Sequence, residues 1–365
     1  MISHCDIDRY RLALRHPWRS ARTDVGARQG WLVRLADDVH VGFGDCAPLP
    51  EAGTESHDEA ALALGRWQTR LIGQTIDAAL ADLDHDESRA PAARFAIESA
   101  LLDILTRRLG LALRDWLADG ATGRIAVNTM LGPVGSTTPE AVDAARAHGF
   151  RVLKLKVGLD DPATELARLA AVVREVPPGV ALRLDANGAW DLATAERFIR
   201  AAKAWPIEAI EEPLREPLDA DLRSLQTLAP FSIALDESLH RHWSGLLDPV
   251  TGAARDDLAQ LPVRRLVLKP AACGGLRSTL AFAEQAIAAG IEVVITSLIE
   301  SAAGIWPTVQ LAAAIPSPLP HGVATSGWLQ EDLGDAPTIS DGHISLPRHA
   351  GSGFCPTHRM PSRGG

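Results

Sequence analysis

The sequence predicts an α/β protein, a (β/α)8 TIM barrel preceded by an α+β unit, and three observations carry that expectation. The first stretch, residues 1–122, reads as strands followed by helices. From Gly123 onward, short β-branched or leucine-rich runs alternate with alanine-rich segments of helical period. Charged residues then stand at the ends of five successive runs. Strands followed by helices indicate α+β, whereas regular alternation indicates parallel βαβ units, and eight of these close as a barrel. A doubly wound open sheet is the alternative.

In the first unit, Trp31, Val33 and Leu35 fall on one face at period two, Ala36-Asp37-Asp38 interrupts, and Val39, Val41 and Phe43 resume the pattern, which is a hairpin signal. From Pro91 the period lengthens: Ile97, Leu101, Ile104 and Leu105 follow helical spacing, with Gly110 placed to stop the helix. Barrel strands are expected to start near Ile125, Arg151, Ala181, Ile207, Ser232, Arg264, Ile291 and Pro318. Helices are expected over Thr138–His148, Ala163–Glu175, Leu192–Ala204 and Ser278–Ala289. The barrel is expected to span residues 123–325. The Gly- and Pro-rich segment 326–365 should return to the first unit and end flexibly.

Composition narrows the function classes. Hydrophobic residues make up 46% and charged residues 22% of the 365, which is ordinary for a folded globular protein. No stretch reaches a membrane span, and Met1–Tyr10 has no signal-peptide core, so a cytoplasmic location is expected and no membrane partner. A net charge of −10 disfavours nucleic acid, which is bound by neutralising phosphates with Lys and Arg. Cys5, Cys46, Cys273 and Cys355 lie too far apart for a zinc pattern or a disulfide framework. The twelve histidines form no H-x-x-x-H, so His240 and His242 read as loop residues. A small-molecule carboxylate is the expected partner, and the sequence is silent on oligomeric state.

Chemistry in a TIM barrel sits at the C-terminal ends of the strands. Here the second strand ends Lys154-Leu155-Lys156, the third Asp185-Ala186-Asn187, the fourth Glu211-Glu212, the fifth Asp236-Glu237 and the sixth Lys269. Strand side chains alternate faces, so Lys154 and Lys156 share one face and can both enter the barrel mouth, as can Asp185 and Asn187. Asp185, Glu211 and Asp236 would supply the hard oxygen ligands that Mg²⁺, or Mn²⁺, prefers. Alternation turns Glu212 and Glu237 away from their neighbours and makes them second choices. A lysine is a usable base once nearby like charge and desolvation favour the neutral amine. Lysine, metal, lysine is a layout for removing a proton next to a carboxylate. Taken singly, each charge reads equally well as a solvated strand end; five together do not, because Lys, Asp and Glu are seldom buried without a partner or a task.

With these residues in view, the chain resembles the enolase superfamily and, within it, the muconate-lactonizing subgroup. That family's K-x-K, acid, acid, acid, K pattern is met by Lys154/Lys156, Asp185, Glu211, Asp236 and Lys269. Finer features resemble the o-succinylbenzoate synthases, dehydratases of menaquinone biosynthesis. These are Gly42-Phe43-Gly44-Asp45-Cys46-Ala47-Pro48-Leu49-Pro50, Val127-Asn128 and Thr296-Ser297-Leu298-Ile299-Glu300-Ser301. The resemblance implies a modified (β/α)8 TIM barrel with an N-terminal α+β capping domain, a lyase requiring Mg²⁺, Lys156 as the proton-transferring base and Lys269 as the cation facing the enediolate. It further implies Lys154, Asn187, Glu237, Ser297 and Ser301 as supporting or substrate-binding residues. The segment Trp18–Gly30 corresponds to a mobile lid, with Arg28 as a lid contact; a solvated loop arginine is the other reading. Related dipeptide epimerases carry an acidic D-x-D near the eighth strand, where this chain reads His321-Gly322-Val323-Ala324-Thr325-Ser326. The same scaffold also serves N-acyl amino acid racemases and cycloisomerases, which remain alternatives. Leu298 and Cys273 depart from the synthase pattern and are expected on the substrate wall.

Overall fold

The computed structural model describes residues 1–19, 24–86, 88–241, 246, 248, 253–254 and 258–357. His242, the middle of the expected lid and the last residues of the tail lie outside these. Strands β1 (His4–Arg19), β2 (Asp24–Ala36) and β3 (Val41–Cys46) form an antiparallel sheet, with β2 in the middle. Val33 and Leu35 are fully buried on one face, as their period implies. Leu32, just before them and on the other face, is buried as well, because that face meets Tyr10, Leu12, Phe43 and, from the barrel, Ile299 and Ala302. The sheet therefore lies between two apolar surfaces and not against water.

Helices α1 (His57–Leu71), α2 (Ile76–Asp84), α3 (Pro91–Leu109) and α4 (Leu113–Leu117) follow. A capping box of Ser56 and Glu59 starts α1. Proline in the first turn starts α3, and Gly110, in the left-handed region at φ 71°, ends it where the sequence predicts. Helix α3 is buried on nearly all sides because it lies directly on the backbone of β3: a Cβ at Gly44 would run into the carbonyl of Ala96. Glycine here permits close approach.

The barrel is a seven-stranded parallel sheet whose strands neighbour one another in chain order. Its strands are β5 (Thr129–Pro133), β6 (Val152–Lys156), β7 (Ala181–Asp185), β8 (Ile207–Glu211), β9 (Ser232–Leu235), β10 (Arg265–Leu268) and β11 (Glu292–Ile295). Between and after them run α5 (Pro139–Ala147), α6 (Pro162–Glu175), α7 (Leu192–Ala202), α8 (Asp219–Leu228), α9 (Glu237–Arg241), α10 (Pro270–Cys273), α11 (Leu276–Ala288) and α12 (Ala302–Ala314). Two expected strands differ. The run at Ile125 is β4 (Arg124–Ala126), which pairs antiparallel with β13 (His343–Ser345), itself paired with β12 (Ile339–Ser340), so the first barrel strand starts later, at Thr129. The run at Pro318 is no strand. His321 and Gly322 close the barrel through single bridges to Val127 and Thr296, since Pro316, Pro318 and Pro320 bring no N–H to a ladder. Among the described residues no helix is long and apolar enough to cross a membrane.

Cap and barrel are joined by buried acids placed at the starts of barrel helices. Glu98 on α3 accepts hydrogen bonds from the backbone N–H groups of Leu276 and Arg277 at the head of α11, and from Arg277 Nε at 2.7 Å, while Arg277 also grips Asp84 at 2.8 and 2.9 Å. Gly275 has no Cβ to collide with that carboxylate. Asp45 on β3 accepts from Ser301 N and Oγ at 2.8 and 2.7 Å, at the N-cap of α12, and from the Tyr10 hydroxyl. Asp332 accepts from Ala302 N in the same turn. Carboxylates suit helix N-termini, where free N–H groups and the positive end of the dipole meet.

Two predictions follow from this junction. Glu98→Ala leaves two helix-start N–H groups and half of Arg277 unsatisfied, and should cost about 2–4 kcal/mol, read as a lowered thermal midpoint. Glu300, just before Ser301, is buried, and burial, with the nearby charge of Asp45, pushes its carboxyl up to about 7 against the opposing pull of Arg28. Burial likewise pushes Asp332 up to about 6. A folded-state value above the unfolded one means that the folded protein holds the extra proton. The contribution of these two groups to stability is therefore fullest below about 4.5, falls as pH rises towards 7 and then levels, by roughly 3 kcal/mol for Glu300. Thermal midpoints measured from pH 5 to 8 should decline less steeply in Glu300→Gln than in the parent; equal slopes would exclude this account.

Candidate active site

Side chains that alternate along parallel strands stack in layers inside a barrel, and here two layers are charged. The lower one depends on an irregularity. Leu182 pairs with Ile207 but Arg183 pairs with Ala209, so Glu208 is an extra residue bulged out of the ladder. Its carboxylate takes Arg183 Nε at 2.6 Å and Arg265 Nη1 at 2.6 Å, and Arg265 Nε reaches Glu292 at 2.8 Å. Arg183 also donates to Asn128 Oδ1 at 3.1 Å and to the Pro320 carbonyl. Sequence reasoning missed this layer. Arg183 and Arg265 could have been found by counting two residues back from Asp185 and four from Lys269; Glu208 could not, because the bulge changes its face.

The upper layer lies one step nearer the C-terminal ends. Lys156, Asp185 and Glu211 stand side by side in the register of β6, β7 and β8. Lys156 Nζ donates to Asp185 Oδ2 at 2.7 Å and to Asn187 Oδ1 at 2.6 Å. Lys154 bridges Asp185, at 2.9 Å, and Glu211. Beyond β9, Asp236 pairs with Lys269, which also reaches Glu237 at 3.5 Å, while Asn187 Nδ2 donates to the same Glu237 oxygen at 3.3 Å. All of these side chains are buried. Asn187 and Glu212 hold positive φ of 46° and 47°, a costly backbone for residues other than glycine, at the turn out of two adjacent strands.

Electrostatics follow from this crowding. Burial opposes the charge on Lys154, but Asp185, Glu211 and Asp236 outweigh it and hold the amine above the usual lysine range. Burial acts on Lys269 in the same way and is outweighed by Asp236 and Glu237. Asp185 is held below the usual carboxylate range by Lys154 and Lys156 in spite of burial. Asp236 goes the other way, pushed up by burial and then by Glu237. Glu212 is raised to about 7 by burial and by Glu237, while accepting hydrogen bonds from Asp236 N and from Ser238 N and Oγ.

These residues open onto a cavity of about 640 Å³, open solvent included. Lys154, Lys156, Asp185, Asp236, Glu237 and Lys269 line its floor, whereas Trp18, Leu49 and Ala52 come from the cap and Leu298, Ile299 and Trp328 form an apolar side. The expected lid is the end of the β1–β2 hairpin, where Trp18 pairs with Val25 and lays its ring 5.3 Å from Lys156 Nζ, within reach of a cation–π contact. Sequence reasoning did not single out this tryptophan. Ser297 lines the cavity and bonds Thr325 at 2.7 Å.

Three expected contacts lie elsewhere. Ser301 is fully buried as the N-cap of α12, occupied by Asp45. Cys273 is buried in α10, outside the lining. Arg28 lies in the part of the expected lid segment Trp18–Gly30 that is paired strand β2, and it is not in solvent: it sits at 2% exposure and donates to the carbonyls of Ala47, Pro48 and Ile299. Ile299 itself has φ 59°, a left-handed conformation that costs a β-branched residue on the order of 1–3 kcal/mol.

Among the described residues no group of three acid, histidine or cysteine side chains is gathered as a metal-binding set. Lys154 and Lys269 instead pair with the three expected ligands. The chemistry of the donors nonetheless fits a hard dication: every candidate atom is a carboxylate oxygen, and beside them Glu237 Oε2 is buried with no hydrogen-bond partner among the described residues.

Comparison with known proteins gives a consistent picture. Residues 137–359 match a family model described as "Enolase C-terminal domain-like", and residues 3–104 one described as "MenC, N-terminal domain". An o-succinylbenzoate synthase of Desulfotalea psychrophila is 28% identical, over 92% of this chain and 96% of that protein. The L-Ala-D/L-Glu epimerase of Bacillus subtilis is also 28% identical, over 97% and 96%. The solved muconate lactonizing enzyme of Pseudomonas fluorescens, complexed with muconolactone, superimposes with a TM-score of 0.85 at 26% identity, over 98% and 96% of the two chains.

Proposed function

Because the chain belongs to the enolase superfamily, we propose that it removes the proton next to a carboxylate of a small molecule and then expels water, in the manner of an o-succinylbenzoate synthase. One observation carries the proposal: Lys156 and Lys269, from places four strands apart in the sheet order, face a single cavity with carboxylates between them. Dehydration is supported over epimerisation by the N-terminal match and by the segment His321–Ser326, which offers no acid to hold a substrate ammonium group. Epimerisation is the second reading, because the epimerase relative is equally similar and two lysines facing one cavity suit it.

Members of this superfamily use Mg²⁺, and Asp185, Glu211 and Asp236 are the residues that would hold it here, with Mn²⁺ as a substitute. When bound, the ion would polarise the substrate carboxylate and stabilise charge developing on it. The remaining work falls to the chain. Lys156 Nζ, oriented by Asp185 and Asn187, takes the α-proton in its unprotonated form, and the electron pair left behind delocalises into the carboxylate. Lys269 faces that charge as an ammonium. The pair then returns, the bond from the neighbouring carbon to its hydroxyl breaks, and Lys156 gives its proton to the departing oxygen as water forms. Trp18, Leu298 and Ile299 keep bulk water from the reacting carbons.

Chelation should abolish turnover and added Mg²⁺ or Mn²⁺ should restore it; Asp185→Asn, Glu211→Gln and Asp236→Asn should each weaken metal binding, read by calorimetric titration. Full turnover in metal-free enzyme would refute the scheme. Lys156→Ala should lose at least ~10²–10⁴-fold, since one residue serves as both base and acid. Lys269→Arg should keep a measurable fraction and Lys269→Ala far less, because a charge and not a proton is required there. If Lys269→Arg instead exchanges solvent deuterium into one enantiomer of an N-acyl amino acid while Lys156→Ala exchanges only the other, both lysines are bases, the scaffold can run 1,1-proton transfer, and the dehydratase reading rests on substrate preference alone.

A further inference from the structure

The geometry points to Arg28 as a positioning residue that sets the width of the cavity's apolar end and thereby selects which carboxylates fit. Its side chain does not line the cavity, yet it holds both walls of that end. Nη1 and Nη2 donate to the carbonyls of Pro48, at 3.1 Å, and Ala47, immediately before the cap wall residue Leu49; Nε donates at 3.3 Å to the carbonyl of Ile299, on the barrel wall beside Leu298. A guanidinium is planar and its donors diverge at fixed angles, so one group spanning three carbonyls fixes the distance between the segments that carry them. Both segments belong to different units of the fold, and a lysine in this place could not bridge them.

The barrel segment depends on being held. Ile299 stands in the left-handed region at φ 59°, where a β-branched side chain does not rest unless its surroundings impose it. The neighbouring amides are tied as well, Leu298 N to Glu300 Oε2 at 2.8 Å and Ile299 N to Ser297 Oγ at 3.4 Å. The guanidinium also lies near the buried carboxyls of Asp45 and Glu300, and its charge pulls both down against the effect of burial. Leu49, Ala52, Leu298 and Ile299 offer no polar side chain at this end, so the part of the substrate received is apolar, such as a six-membered ring, while the carboxylate lies towards the lysines.

The inference deepens the function proposed above and rests on it for the reaction measured. The experiment compares wild type, Arg28→Lys and Arg28→Met. It reads steady-state dehydration of the cyclohexadiene carboxylate, and inhibition by o-succinylbenzoate, which carries a ring, and by adipate, a dicarboxylate without one. Arg28→Met should raise KM and the o-succinylbenzoate inhibition constant about tenfold while kcat and the adipate constant move little, with Arg28→Lys between the two. A role in stability alone would lower the thermal midpoint and leave the ratio of the two inhibition constants as in wild type, and that result overturns the inference. Should Arg28→Met fail to fold, Arg28→Lys decides by the same ratio, since it keeps the charge facing Asp45 and Glu300. If wild type neither dehydrates the compound nor binds o-succinylbenzoate, the proposed function fails and this inference falls with it, an outcome distinct from an active wild type with unselective variants.

Discussion

Burying charge inside a barrel is tolerable only where each charge meets its opposite, and that requirement organises the interior of this protein. Arg183 and Arg265 are among its largest fully enclosed side chains, and both are satisfied by Glu208, with Glu292 as a second partner for Arg265. One layer up, Lys154, Lys156 and Lys269 divide Asp185, Glu211, Asp236 and Glu237 among themselves. Removing one partner of such a pair leaves a buried charge uncompensated, which is far costlier than the pair is worth. The charged layer at the strand ends thus rests on a second charged layer below it, and Arg183, 3.8 Å from Glu211, touches both.

The cap contributes in a different way. Its acids finish the helices of the barrel, and its sheet shares an apolar face with Ile299 and Ala302, so neither unit is complete without the other. The same contacts bring Trp18, Leu49 and Ala52 over the strand ends. The residues that join the units thus adjoin those that wall the cavity.

Much of this was legible in the sequence because alternation is a strict rule. Once runs such as Val152–Lys156 and Ala181–Asp185 are taken as parallel strands, period two aims Lys154, Lys156, Asp185 and Asn187 at the mouth without further information. Features that break the rule were hidden. The bulge turns Glu208 inward against its parity, and the prolines around 318 reduce the eighth strand to two bridges. Others depend on tertiary packing, which no local pattern reports: Ser301 reads as a site serine until α12 is seen to begin there, and Arg28 reads as a loop arginine until its three carbonyl partners arrive from segments 20 and 271 residues away. The acids at the strand ends were legible as residue types, whereas their pairing with lysines was not.

A cavity walled by two units also ties occupancy to assembly. A molecule that touches Leu49 and Ala52 on one side and Leu298 on the other binds the docked arrangement and not the separated one, so it must tighten docking by as much as docking tightens its own binding. That reciprocity reaches substitutions far from the strand ends. A change at the head of α11 that loosens the cap lowers the fraction of molecules able to bind, and it would register as weaker apparent affinity for the small molecule even though no residue in contact with it had changed.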